Sequence, residues 1–138
     1  MKGFKIAIEK EAVINNNFRK VLYTSTHSQL VLMCLKPLEE IGEETHTEND
    51  QFFRIESGYG KCIIDGNEYP VTDGDAVIVP AGARHNIINT DSKKELKMYT
   101  IYSPAHHKDG IIRKTKAEAE AKENEEEFEG VTTESINR

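Results

Sequence analysis

Two short segments carry side chains of the types that bind metal ions. In the first, Glu44 and His46 are two residues apart, so on a strand they point to the same face. Gln51 follows a polar turn and shares a strand face with the apolar Phe53 and Ile55, so we expect it inside the sheet. The segment therefore predicts three inward polar groups.

The second segment runs from Gly74 to Asn89. A strand ends at Pro80, a turn follows, and the chain becomes extended again at His85. Because Ile87 is apolar and shares a strand face with His85, we expect this second imidazole to point inward as well.

A divalent metal ion would compensate the cost of burying these groups. Burying the Glu44 carboxylate alone would cost several kcal/mol or force it to be neutral. Imidazole nitrogens with carboxylate and amide oxygens suit Mn, Fe, Co, Ni or Zn, and the absence of thiolates argues against copper(I). Glu48 and Asp50 are competing ligands, but their position in a polar turn favours solvent exposure.

The segments that must position these groups are predicted to be strands. Short β-branched, apolar and aromatic runs alternate with Gly, Asn, Asp and Pro, which is typical of an all-β sandwich or barrel. Asp65-Gly66-Asn67 predicts a tight hairpin turn, and residues 10–17 are a weak helical candidate. The predicted strands are 4–8, 18–24, 29–35, 51–57, 60–65, 67–71, 75–80, 85–89 and 96–102.

Composition limits the class of protein. The chain has 138 residues and a net charge of −6, which argues against nucleic acid as a partner. It has no apolar run near the roughly 20 residues that span a bilayer and no signal-peptide core, so we expect a cytoplasmic protein without a membrane contact. Cys34 and Cys62 lie in apolar runs and predict buried, reduced thiols.

Charge divides the chain into a body, 1–113, and an acidic tail, 114–138. The tail holds eight acidic and four basic residues, and Thr115 is a suitable helix N-cap. We predict a solvated acidic tail, helical at first and frayed into disorder after Gly130.

The two segments together make the sequence resemble the cupin family. The second segment matches the motif G-x5-P-x-G-x2-H-x3-N without a gap, and the first fits H-x-H-x3or4-E-x6-G with two residue types exchanged. The resemblance covers roughly residues 25–103 and is strongest to small single-domain bacterial cupins. It implies an all-β double-stranded β-helix, or jelly-roll, barrel with a metal at its mouth. The implied ligands are Glu44, His46, Gln51 and His85.

The exchanged ligands make the implied function less specific. Cupins usually present His, His, Glu and His, whereas the cupin domains of phosphomannose isomerases use two His, one Gln and one Glu with the last two in swapped positions. We expect a metal-binding cupin that binds or converts a small polar molecule, such as a sugar or sugar phosphate, as an isomerase or epimerase. Glu44 or Glu48 would move protons, and Tyr102, predicted inward, would donate a hydrogen bond to the substrate or act as an acid. The alternatives are a non-haem metal dioxygenase and a non-catalytic binding cupin.

The outer surfaces carry further expectations. By analogy with paired cupins, we expect a homodimer formed through the exposed face that carries Phe18, Val21 and Tyr23. Arg19 and Arg54 are assigned to outer faces, as are Glu56 and the odd positions around Lys97. His106 and His107 are expected to be solvated in a loop near the barrel mouth.

Overall fold

The secondary structure is mainly antiparallel strand. The structure is a computed structural model and describes residues 1–136. Within that range it contains the following elements: α1 (Ile8–Ile14), β1 (Arg19–Thr24), β2 (Gln29–Leu35), β3 (Glu44–Thr45), β4 (Asp50–Ser57), β5 (Tyr59–Ile64), β6 (Asn67–Thr72), β7 (Ala76–Val79), β8 (Arg84–Asn89), β9 (Leu96–Ser103), β10 (Ile112–Arg113), α2 (Lys116–Ala121), a 3-10 turn (Glu123–Glu125) and α3 (Thr133–Ile136).

Two sheets enclose the core. One has six strands in the order β10-β1-β2-β9-β4-β7, and the other has four in the order β3-β8-β5-β6. Phe53, Ile55 and Met98 of the first sheet join Cys62 and Ile87 of the second in one cluster, and each is at most 1% exposed. This arrangement confirms the predicted all-β jelly roll, with burial of the two inner faces as its main stabilising term.

Two local features of the sequence set the register of the smaller sheet. Asp65 and Gly66 both have positive φ angles, 47° and 82°, and join the paired residues Ile64 and Asn67 in the predicted two-residue hairpin. At Gly60, an added Cβ would lie 2.2 Å from the carbonyl oxygen of Ile88 on β8, so only glycine permits this close pairing.

The amino-terminal segment does not form the strand predicted for residues 4–8. Residues 8–14 are helical instead, and Ala12 is fully buried where α1 packs against β9 and β4. Good helix formers dominate this stretch, and the alternating pattern before it has no neighbouring strand with which to pair.

Three charged residues assigned to outer faces are buried. Lys97 is 7% exposed because its ammonium donates to the carbonyl of Asn15 at 2.5 Å, just after α1. Glu56 is 6% exposed and lies 3.1 Å from the half-buried Arg54. Arg19 is 7% exposed and faces a cavity. For Lys97 and Arg19 the alternation rule failed because residues outside the sheets, Asn15 and Glu126, lie against these positions.

The surface predicted for dimerisation is also wrong. Phe18 and Val21 are 3% and 6% exposed and belong to the core of this chain. Tyr23 stacks on Phe4 and donates to Glu134 at 2.7 Å, so that face is already covered. The homodimer itself stays a prediction.

The acidic tail begins as predicted. Thr115 caps α2 by accepting a hydrogen bond from the Glu118 amide at 3.1 Å. The fraying expected after Gly130 is not found over residues 131–136, where α3 forms and Glu134 accepts from the amides of Lys2 and Gly3. Residues 137–138 lie outside the described part of the chain. The boundary at 113 stays a prediction.

Two expectations from composition can be compared with residues 1–136. Cys34 and Cys62 are free and buried, as predicted. None of the helices described in this range is long and apolar enough to cross a membrane.

Candidate metal centre and ligand pocket

Adjacent strands of the smaller sheet bring the first three candidate ligands together. Glu44 on β3 lies directly opposite His85 on β8 in the antiparallel register. His46 follows β3, and its carbonyl accepts from the amide of Gly82 at 2.9 Å, which joins this segment to the turn before β8. The strand pairing therefore brings candidate ligands from two distant sequence segments close together.

The ligand atoms of Glu44, His46 and His85 all lie within 4.8 Å of one another. Glu44 Oε2 is 3.6 Å from His46 Nε2, and the two imidazole rings have centroids 5.1 Å apart. His46 is 7% and His85 is 3% exposed, whereas Glu44 is half-buried and opens toward the cavity.

Gln51 comes from β4 of the larger sheet and is 3% exposed. Its amide nitrogen donates to the Thr100 hydroxyl at 3.0 Å, and that hydroxyl donates in turn to the Phe52 carbonyl at 2.8 Å. Since these bonds fix which end of the amide is the donor, Oε1 is the atom left to accept.

Three buried polar atoms at this site have no hydrogen-bond partner in the described structure: His46 Nε2, Gln51 Oε1 and His85 Nε2. Each such atom ordinarily costs about 1–3 kcal/mol. His85 Nδ1 lies 3.1 Å from the Ala83 carbonyl, which can only accept, so Nδ1 carries the proton and Nε2 has a free lone pair. Two imidazole nitrogens, an amide oxygen and a carboxylate fit a divalent transition-metal ion.

Burial also sets the charge of these groups. Desolvation, with smaller contributions from His106 and His85, lowers the pKa of His46 to about 3, so the imidazole is neutral at pH 7. Desolvation raises the pKa of Glu44, and the nearby Arg19 guanidinium partly opposes this rise. An unpaired carboxylate at this position is unfavourable, and a cation would relieve that penalty.

The candidate ligands open into a cavity of about 610 Å³, a volume suited to a small molecule. Its wall is rich in carboxylates. The charged residues that line it are Arg19, Lys116, Glu43, Glu44, Glu48, Glu120, Glu123, Glu126 and Glu127.

Of the other residues predicted for the site, some are buried inside the barrel and some are exposed. Tyr102 points inward as expected, is 2% exposed, and its ring centroid is 5.7 Å from that of His46. Glu48 lines the cavity but is exposed, in keeping with its place in a turn. Asp50 accepts from the amide of Ala81 at 2.9 Å and so fixes a turn.

The expectation that His106 and His107 are solvated is wrong for His107 and holds only in part for His106, which is half-buried. His107 is 4% exposed, and its Nε2 lies 3.2 Å from the Tyr102 hydroxyl. His106 lines the cavity, with its ring centroid 4.2 Å from that of His46. Gln29 holds this segment by accepting from both histidine amides, at 3.2 and 2.9 Å.

The local pattern around these two histidines gives no sign of this burial, since they follow a proline in a polar loop. The buried amide of Asn49 completes the anchorage by donating to the carbonyl of Pro104 at 2.6 Å. An isolated glutamine in a strand, such as Gln29, and an isolated asparagine in a turn are weak signals that a loop is held there.

Comparison with known proteins agrees with this architecture. Residues 31–102 match the cupin domain family, and the chain belongs to that family. It is 43% identical to an uncharacterised protein of Acanthamoeba polyphaga mimivirus, over 79% of this chain and 70% of that protein.

Solved structures show the same fold. A crystal structure of a Bacillus halodurans protein has 38% identity and a TM-score of 0.84, covering 87% of this chain and 95% of that one. An uncharacterised Klebsiella pneumoniae protein with a double-stranded β-helix domain has 17% identity and a TM-score of 0.64, covering 83% of this chain and 100% of that one. At that identity the second likeness supports the fold alone.

Proposed function

We propose that this cupin binds one divalent transition-metal ion through Glu44, His46, Gln51 and His85, and holds a small polar molecule in the cavity beside it. The observation that carries this proposal is the set of three buried polar atoms without partners next to a half-buried carboxylate. Gln51 is preferred to Glu48 as the fourth ligand because its oxygen is buried and unpaired, whereas Glu48 is exposed.

Bound metal would supply Lewis-acid polarisation of a carbonyl or hydroxyl on the ligand. Burial raises the pKa of Tyr102 above its usual range, so its hydroxyl keeps its proton and can donate a hydrogen bond, in this structure toward His107 Nε2 at 3.2 Å. Glu44 and Glu48, which line the cavity, are the candidates for moving a proton. These roles suit an isomerase or epimerase acting on a sugar-like molecule.

The charge of the cavity favours an uncharged ligand over a sugar phosphate. Seven glutamates line it, against two cations, Arg19 and Lys116. Arg19 is paired with Glu126 through Nη1, which leaves its Nε without a partner, and Lys116 lies 4.0 Å from Glu120. A phosphate needs several converging, unengaged cations, and the lining residues within 1–136 do not provide them.

The test is metal content after purification without a chelator or a histidine tag, followed by titration with Zn, Mn, Fe, Co and Ni. We expect binding of one ion per chain, and metal-dependent binding of neutral sugars in preference to their phosphates. Stoichiometric iron with oxygen consumption would favour the dioxygenase alternative. Failure of all five ions to bind would refute the proposal.

A further inference from the structure

The acidic C-terminal segment forms part of the cavity wall. Seven residues between 116 and 128 line the cavity together with the candidate ligands Glu44 and His46. In the sequence this segment looks like a solubilising tail, but its position requires specific contacts that hold it beside the site.

The strongest of these contacts is made by Glu126, which is 8% exposed. Its Oε2 accepts from Arg19 Nη1 at 2.5 Å, and its Oε1 accepts from Arg113 Nε at 2.7 Å. Arg19 on β1 and Arg113 on β10 are directly opposite in the sheet register. Two adjacent guanidinium groups repel each other, so the carboxylate between them stabilises both the strand pair and the segment that carries it.

The backbone after this anchor supports the histidine loop. The Glu126 carbonyl accepts from the Lys108 amide at 2.7 Å, and the Phe128 amide donates to the His106 carbonyl at 3.0 Å. The loop is thus held on one side by the C-terminal segment and on the other by the Gln29 side chain. His106 is consequently fixed against the ring of His46.

We propose that Glu126 is a positioning residue for this site. Its contacts with Arg19 and Arg113 fix residues 126–128, and these residues place His106 at the cavity beside His46. The inference rests on the metal site proposed above, and it gives the C-terminal segment the role of positioning His106 at that site.

The test uses the full chain, Co²⁺ as the probe, and NMR of isotope-labelled histidine rings. In the wild-type protein, we expect paramagnetic perturbation of the His46 and His85 signals, which reports metal binding, and of the neighbouring His106 signals. In Glu126→Gln, His46 and His85 should keep their perturbation, whereas that of His106 should change. Extraction of Co²⁺ by a chelator should become faster, because the cavity wall beside the metal is no longer held by Glu126.

The matched control is Glu125→Gln, which makes the same chemical change at an adjacent exposed position. A second variant, Arg113→Gln, breaks the anchor from the other side and should act in the same direction as Glu126→Gln. Wild-type behaviour of both anchor variants, or the same change in Glu125→Gln, would overturn the proposal.

Failure of the metal site can be distinguished from failure of the anchor. If Co²⁺ leaves the His46 and His85 signals unchanged in the wild type, the proposed function is wrong. Amide hydrogen exchange of Lys108 and Phe128 in the metal-free protein then decides the positioning role. Exchange should accelerate in Glu126→Gln and not in Glu125→Gln, and equal exchange in all three proteins would refute it.

Discussion

Metal binding through His46 and His85 predicts a large thermal shift that depends on both imidazoles. A metal that binds only the folded state at 100 times its dissociation constant adds about 2.7 kcal/mol to the free energy of unfolding. For a chain of 138 residues, this corresponds to a rise in Tm of about 8–10 °C. The assay is scanning calorimetry of protein treated with a chelator, with and without Zn²⁺ or Mn²⁺.

Replacing both His46 and His85 by Ala should abolish that rise. Two of the four donors are lost, and if affinity falls about a thousandfold at the same metal concentration, the added stability is less than ~0.1 kcal/mol. The matched control is His27→Ala, because His27 is exposed and lies outside the cavity lining. A full metal shift in the double variant, or its loss in the control, would show that the ligands are wrongly assigned.

Three further results are expected. Replacing Gln51 by Glu should strengthen metal binding by about tenfold, or 1.4 kcal/mol, because a carboxylate is a stronger ligand than an amide. Gln51→Leu should weaken metal binding, and isothermal titration calorimetry measures both effects. Metal-free protein should lose stability as the pH falls below 6.5 toward 3, because His46 is protonated in that window in the unfolded chain but not in the folded chain, where its pKa is about 3. Urea unfolding at pH 7 and pH 5 provides the comparison, and equal stabilities would contradict the burial argument. Gln29→Ala should cost about 2–4 kcal/mol because it leaves the amides of His106 and His107 without their buried acceptor; a change below 1 kcal/mol in urea unfolding would argue against this anchorage.

The candidate ligands could be predicted because their placement follows from local alternation. Glu44 and His46 are two residues apart, and Gln51 shares its parity with Phe53 and Ile55, which are buried as expected. The side-chain period of a strand is two, so each inner face can be read directly from the sequence. The same rule located Tyr102.

The rule failed where a distant segment covers the outer face of a strand. Arg19 and Lys97 occupy positions that alternation assigned to solvent, yet a C-terminal carboxylate binds the first and the residues after α1 bind the second. A charged side chain can be buried when its partners come from elsewhere in the chain, and local periodicity contains no information about those partners.

The sequence by itself determined most of the strands, the Asp65-Gly66 turn and the inward direction of the four proposed ligands, because these depend on residues close to one another along the chain. Tertiary structure alone decided that His106 stands beside His46 and that Glu126 joins β1 to β10 at the cavity. His46 and His106 are 60 residues apart and Arg19 and Glu126 are 107 apart, and only closure of the sheets brings such distant residues into contact.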